Sequence, residues 1–114
     1  MEILIYNALQ ELFSGRVFPD VAPEGTTRPY ATYQAIGGSA INFTEGSVPG
    51  LRNARVQVNV WADTRMDSSI LGNAAENILR GVAGLQTTVL DAATSIYEPD
   101  TGLYGQMQDF GFWY

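Results

Sequence analysis

The sequence predicts an α+β fold: a two-layer sandwich with two helices packed on one face of a mainly antiparallel sheet of four to five strands. Three observations carry this. Behind Thr64 the apolar residues Met66, Ile70, Ala74, Ile78 and Val82 recur every four positions, as in a helix. Between Arg52 and Asp63, Ala54, Val56, Val58, Val60 and Ala62 alternate with Arg55, Gln57, Asn59 and Trp61, the period of a strand with one buried face. The other apolar segments are short and separated by Gly and Pro, as in a sheet of brief strands. There is no internal repeat and no linker, so residues 1–114 form one expected domain.

In chain order, Glu2 to Phe13 is an expected helix, with Ile5, Ala8, Leu9 and Leu12 on one stripe and Gly15 as its stop. Arg16 to Pro19 is a short extended piece that the proline ends. Asp20 to Pro29 is a polar loop, and Tyr30 to Ile36 is strand-like. Gly37 to Leu51 holds four glycines and a proline; it is long for a hairpin, and a projecting loop is expected over about 38–50. Thr64 and Asp67 form a start like a capping box for the second helix, which Gly81 and Gly84 end. Gly72 inside that helix costs about 1 kcal/mol relative to alanine, which points to close packing there. Thr88 to Tyr97 is an extended run, Glu98 to Gly102 a turn with Gly102 in the left-handed position, and Leu103 to Tyr114 the last strand.

Composition excludes more than it suggests. With 46% hydrophobic and 16% charged residues the chain is made to fold. It has no cysteine, no histidine and no lysine. Disulfides, thiolates, imidazole bases and Schiff-base amines are therefore out of reach, and any metal site is limited to hard cations on oxygen ligands. No cofactor, metal site or catalytic residue is expected. A net charge of −6, from twelve acids against six arginines, repels a phosphate backbone, so specific nucleic-acid binding is not expected. No stretch approaches the roughly 18 apolar residues of a membrane span. Glu2 and the missing basic segment argue against a secretory signal, leaving a soluble, non-exported protein as the expectation.

The terminal Asp109-Phe110-Gly111 matches the magnesium-binding triplet of kinases, but the lysine and the His-Arg-Asp loop that chemistry needs are absent. Asp63 and Asp67 stand four apart at a helix start, where the dipole favours acids. Glu98 and Asp100 lack the ligand alternation of a calcium loop, and turn chemistry explains them better. The last strand is less easily explained. Alternation puts Tyr104, Gln106, Gln108, Phe110, Phe112 and Tyr114 on one face, and Leu103, Met107, Asp109, Gly111 and Trp113 on the other. Both faces carry large apolar groups, and Trp61 points away from the valine stripe. Either a loop or the first helix covers the second face, or these aromatics anchor another subunit.

Taken with the helix between them, "RPYATYQAIGG", "GLRNARVQVNVWAD" and "YEPDTGLYGQMQDFGFWY" resemble the tail completion proteins of long-tailed bacteriophages, also called tail terminator or tail-to-head joining proteins. The resemblance spans nearly the whole chain; its specific part is the R-V-Q-V-x-V-W strand together with the terminal D-F-x-x-W-Y strand. It implies an α+β fold without catalytic residues, assembling as a ring, usually a hexamer. The ring caps the tail tube, stops its growth and meets the head connector at the head-proximal end of the virion tail, after assembly in the host cytoplasm. The implied partners are further copies, the tail tube protein and the head–tail connector protein, with no membrane.

Against that role, Arg55, Trp61, Phe110, Phe112, Trp113 and Tyr114 are candidates for a subunit or partner interface. Asn42, Phe43, Glu45 and Val48 are candidates on the projecting loop. Glu98 and Asp100 are candidates for an acidic lumen through which DNA slides, or simply for the hairpin. The alternatives are another head–tail connector or minor tail component, and a dimeric α+β ligand-binding module.

Overall fold

A computed structural model of the chain describes residues 1–40 and 50–114. Helix α1 spans Glu2–Leu9 and α2 spans Arg65–Arg80. Among the described residues, six strands form one sheet: β1 Val17–Pro19, β2 Tyr30–Ala35, β3 Asn53–Ala62, β4 Thr88–Val89, β5 Thr94–Glu98 and β6 Leu103–Trp113. The order across the sheet is β1-β2-β3-β6, and β4 and β5 share the far edge of β6. All pairings are antiparallel except β1 with β2, so the sheet is mixed and has more strands than the sequence suggests.

The valine stripe of β3 does face the core. Ala54, Val56, Val58, Val60 and Ala62 are buried, and they stand opposite Phe112, Phe110, Gln108, Gln106 and Tyr104 of β6. Above them lie Ile5, Leu9 and Phe13 from α1 and the turn after it, and Ala75 and Leu79 from α2. Helix α1 ends four residues early, yet Phe13 still completes its i, i+4, i+8 stripe, because residues 10–15 continue as turns. Thr64 caps α2 as expected: its Oγ1 accepts the Asp67 N–H at 3.1 Å.

The buried side of α2 is not the expected one. Ser68, Gly72, Ala75 and Leu79 face the sheet, whereas Met66 is 72% exposed, Ile70 59% and Ile78 37%. A repeat of four overshoots the 3.6-residue turn by about 40° per step, so a stripe of that period winds around the helix. It begins at Met66 on the outer side, and its last residue within the helix, Ile78, is still 37% exposed; Val82, half-buried against the core, lies beyond the helix end. Gly72 packs directly on Gln106 of β6: a Cβ there would lie 2.6 Å from its Cδ.

Beneath α2 the core face carries two buried glutamines. Gln108 Nε2 donates to Glu76 Oε1 at 2.7 Å and to the Asp91 carbonyl at 3.0 Å. The Gln108 bond, with help from Arg80, holds the Glu76 carboxyl below its ordinary value of 4.5, against a smaller upward effect of burial. A carboxyl lowered by folding contributes stability that is present above its unfolded pKa and lost as the pH falls through the folded one. Glu76→Gln should therefore lower the melting temperature by about 2–5 °C at neutral pH. The gap should close as the pH drops below the ordinary carboxylate range. Thermal melts of both proteins from pH 7 to pH 3 check this, and a gap that does not change with pH would refute it.

Candidate functional site

The sheet face opposite the helices is built from the odd-numbered residues of β3 and β6 and the even-numbered ones of β2. Tyr30, Thr32 and Gln34 stand beside Trp61, Asn59 and Gln57, and these in turn stand beside Gly105, Met107 and Asp109. Its middle is polar. Asp109 Oδ2 accepts from Arg55 Nε at 3.1 Å and Nη2 at 2.7 Å, while Gln57 Nε2 reaches Oδ1 at 3.4 Å. The aspartate of the Asp-Phe-Gly triplet thus holds an arginine. Asp109 is only 8% exposed, and pairing and charge-assisted hydrogen bonds offset the cost of withdrawing its charge from water.

The two tryptophans mark opposite ends of this face. Trp113 pairs with Asn53 at the start of β3 and Trp61 lies near its finish, so eight steps of strand, roughly 27 Å, separate them. At the Trp61 end the ring covers Gly105, where a Cβ would come within 2.8 Å of both Trp61 Cζ3 and Ile96 Cγ1. The loop between β1 and β2 overhangs this end and borders an open cleft of about 390 Å³ lined by Asp20, Glu24, Arg28 and Glu98. Arg28 also ties the loop down, donating to Asp63 Oδ1 at 3.0 Å and to the Thr101 carbonyl at 3.2 Å. At the Trp113 end a second cleft, about 460 Å³, lies between Gly38, Asn53, Arg55, Leu90 and Gly111.

The expected interface residues therefore divide. Arg55, Trp61 and Trp113 lie on the sheet face away from the helices, at separate stations and not in one patch, with Trp61 under the loop between β1 and β2. Tyr114 is exposed and extends the ladder, exchanging both backbone bonds with Arg52. Phe110 and Phe112 are corrected: at 1% and 0% exposure, with rings stacked 5.9 Å apart, they are core. Even-numbered β6 residues face the helices opposite Val56 and Ala54, so neither phenylalanine offers surface to a partner. Asn42, Phe43, Glu45 and Val48, with most of the expected projecting loop, lie outside the described residues. Glu98 ends β5 and lines the Trp61 cleft, while Asp100 is exposed in the turn before β6, where Gly102 takes a φ of +69°.

A loop over the second face was one of the two expected alternatives, and the Arg28 loop supplies it at Trp61, whereas Asp109 was missed as the partner of Arg55. That pairing depends on which strands are neighbours, which periodicity alone does not reveal. Among the described residues, no group of three or more acidic residues is placed to hold a metal ion, and no helix is long and apolar enough to cross a membrane.

A family model described as "Tail completion protein gp17" matches residues 5–114, all but the first four of the chain. No curated protein matches. Among solved structures, the gp17 protein of bacteriophage SPP1 has a similar fold, with a TM-score of 0.53 over 94% of this chain and 78% of that one. The two are 18% identical in sequence, so this likeness bears on the fold alone.

Proposed function

The chain belongs to the tail completion protein gp17 family, a structural family of the bacteriophage tail, and from that membership we propose that it closes the tail tube as a ring. In this reading the ring stops tube growth and joins the tail to the head connector. It sits at the head-proximal end of the virion tail, after assembly in the host cytoplasm. The observation that carries the reading is the presence of two different free surfaces on opposite layers of the sandwich. A ring is a heterologous assembly that closes, so each subunit needs two unlike patches, one complementary to the other. The sheet face away from the helices supplies one at its Trp113 end, beside the Arg55–Asp109 pair. The helix layer supplies the other, with Met66 and Ile70 held out of the core. Tube protein and connector then meet the rims of the ring. The net charge of −6, including Glu98 and Asp100, lets DNA pass without adhering.

Native mass tests this. Light scattering on a sizing column, across a wide concentration range and at two salt levels, should give a closed species near six times the 12.4 kDa chain mass. The same species should appear when purified tail tubes are added. A firm dimer that neither grows with concentration nor binds tube ends would overturn the ring.

A further inference from the structure

The two edges of the sheet are not equivalent. Strand β1 closes its own edge. Arg16 and Asp20 bond toward β2, so Val17 and Pro19 are the residues whose backbone groups face outward. The Val17 N–H is given to the Gly15 carbonyl at 3.0 Å, Pro19 has no N–H, and the Pro19 carbonyl accepts from Val21 at 2.7 Å. This edge has no donor for another strand.

Strand β5, at the opposite edge, is open. The odd-numbered residues of β6 bond toward this side, so Leu103, Gly105 and Met107 take up Glu98, Ile96 and Thr94. The backbone groups of Ser95 and Tyr97 therefore point outward, and no hydrogen bond ties them to another described segment. The devices that blunt an edge are missing: Thr94 to Tyr97 carries no charge, no proline and no bulge. Apolar side chains flank the free groups. On the helix side Tyr97 is 51% exposed, its ring 4.8 Å from that of Tyr104. On the other side Ile96 lies half-buried against Gly105. Glu98 and Asp100 stand at one end of the edge, and neither joins an ion pair among the described residues.

We propose that the β5 edge takes up an extended segment of a different protein of the assembled tail as a further, antiparallel strand. Ser95 and Tyr97 each exchange both backbone bonds with it. The residue opposite Ile96 shares its face and is apolar, and the residue opposite Glu98 is an arginine or lysine that answers the unpaired acids at that end. Read from its N-terminal end, the added strand is basic–x–apolar–x. That the occupant is not a second copy rests on the ring reading. The β1 edge of a neighbour has no donor to give, and β5 against β5 is a two-fold contact, which joins copies in pairs and does not pass around a ring. With both faces in ring contacts, the edge is left for another protein.

The test follows the backbone amide signals of Ser95 and Tyr97 in the ¹⁵N-labelled chain by NMR, with the Trp113 indole at the far end of the sheet as reference. The probe is a cyclic β-hairpin peptide that displays Arg-Thr-Val-Thr along one free edge, already extended so that little ordering cost remains. One counterpart carries Glu in place of Arg, and another carries N-methyl groups on the two threonines, which removes the donors aimed at β5. The parent hairpin should shift both amides saturably, slow their exchange with solvent and leave Trp113 in place. The N-methylated hairpin should bind at least about tenfold more weakly, and the Glu hairpin about threefold more weakly. Ser95→Pro removes an outward N–H that the ladder does not use, so it should abolish binding read at Tyr97 with Trp113 unchanged. Unmoved amides, or equal binding of the N-methylated hairpin, would overturn the strand addition, and equal binding of the Glu hairpin would overturn the basic partner. Shifts of the same amides with protein concentration alone would give the edge to a second copy and overturn the foreign one. Native mass reads the ring and these two amides read the edge, so either can fail without the other.

Discussion

Phe112→Ala should destabilise the fold by roughly 3–5 kcal/mol, a large share of the total for a domain this size. The ring is fully buried, stacked on Phe110 and set under the helix layer opposite Ala54, so its removal leaves a cavity that neighbouring side chains fill poorly. Trp113→Ala, one residue further on, should behave in the opposite way. That indole lies half-exposed on the other sheet face beside the second cleft. Its loss should cost about 1–2 kcal/mol of stability while reducing the native mass to that of a single chain. Urea unfolding and light scattering on both variants separate the two roles. If Trp113→Ala unfolds as readily as Phe112→Ala yet still associates, the tryptophan belongs to the core and the interface reading of this face fails.

The second large effect is expected at Gly38. Its φ is +137°, and a Cβ there would stand 2.7 Å from the Asn53 carbonyl oxygen and 2.9 Å from Ala54 Cα. Those atoms are backbone of β3, and the Arg55 N–H binds the Gly37 carbonyl at 2.7 Å, so neither β3 nor the segment beside it can yield alone. Gly38→Ala combines an unfavourable dihedral with a backbone clash and should cost roughly 2–4 kcal/mol. Gly37→Ala is the control, since it shares a positive φ of +108° but meets nothing within 4 Å. It should cost only about 1 kcal/mol. Comparable denaturation midpoints for the two variants would show that the close approach to β3 is unimportant.

Much of this architecture was legible in the sequence because a one-sided sheet imposes an unambiguous period. The alternation from Ala54 to Ala62 fixes the inward face of β3, and the caps and glycines fix the ends of α2. The orientation of α2 was not legible. Its most regular apolar repeat is four residues long and points to the wrong side; Gly72, expected at a close contact, is the one signal that marks the side turned inward, where Ser68, Ala75 and Leu79 are buried with it. Thr88 to Tyr97 looks continuous in composition but divides into β4 and β5, because residues 90–93 leave the ladder. The candidate surface was half legible. Alternation separated Trp113 from Phe112 correctly, but their environments followed only once β3 was known to lie beside β6. The Arg28 loop, the Asp109 pairing and the cleft over Trp61 arise from contacts between segments distant in sequence, on which local pattern is silent.

The division of the sheet edge into two short strands has a kinetic consequence. Strand β6 exchanges backbone bonds with β3 through its even-numbered residues, as Tyr114 and Arg52 show at the end of the ladder. Its odd-numbered groups face β4 and β5. Between those strands, Asp109 gives its N–H to Asp91 Oδ1 at 2.9 Å and its carbonyl to the Leu90 N–H at 3.1 Å, so the join is sealed. Two short edge strands can open one at a time while the long β3 pairing persists. Along β6, amide protons should therefore exchange with solvent in alternation, odd positions before even. The valve for local opening lies on the β4–β5 side, and the centre of the sheet remains closed.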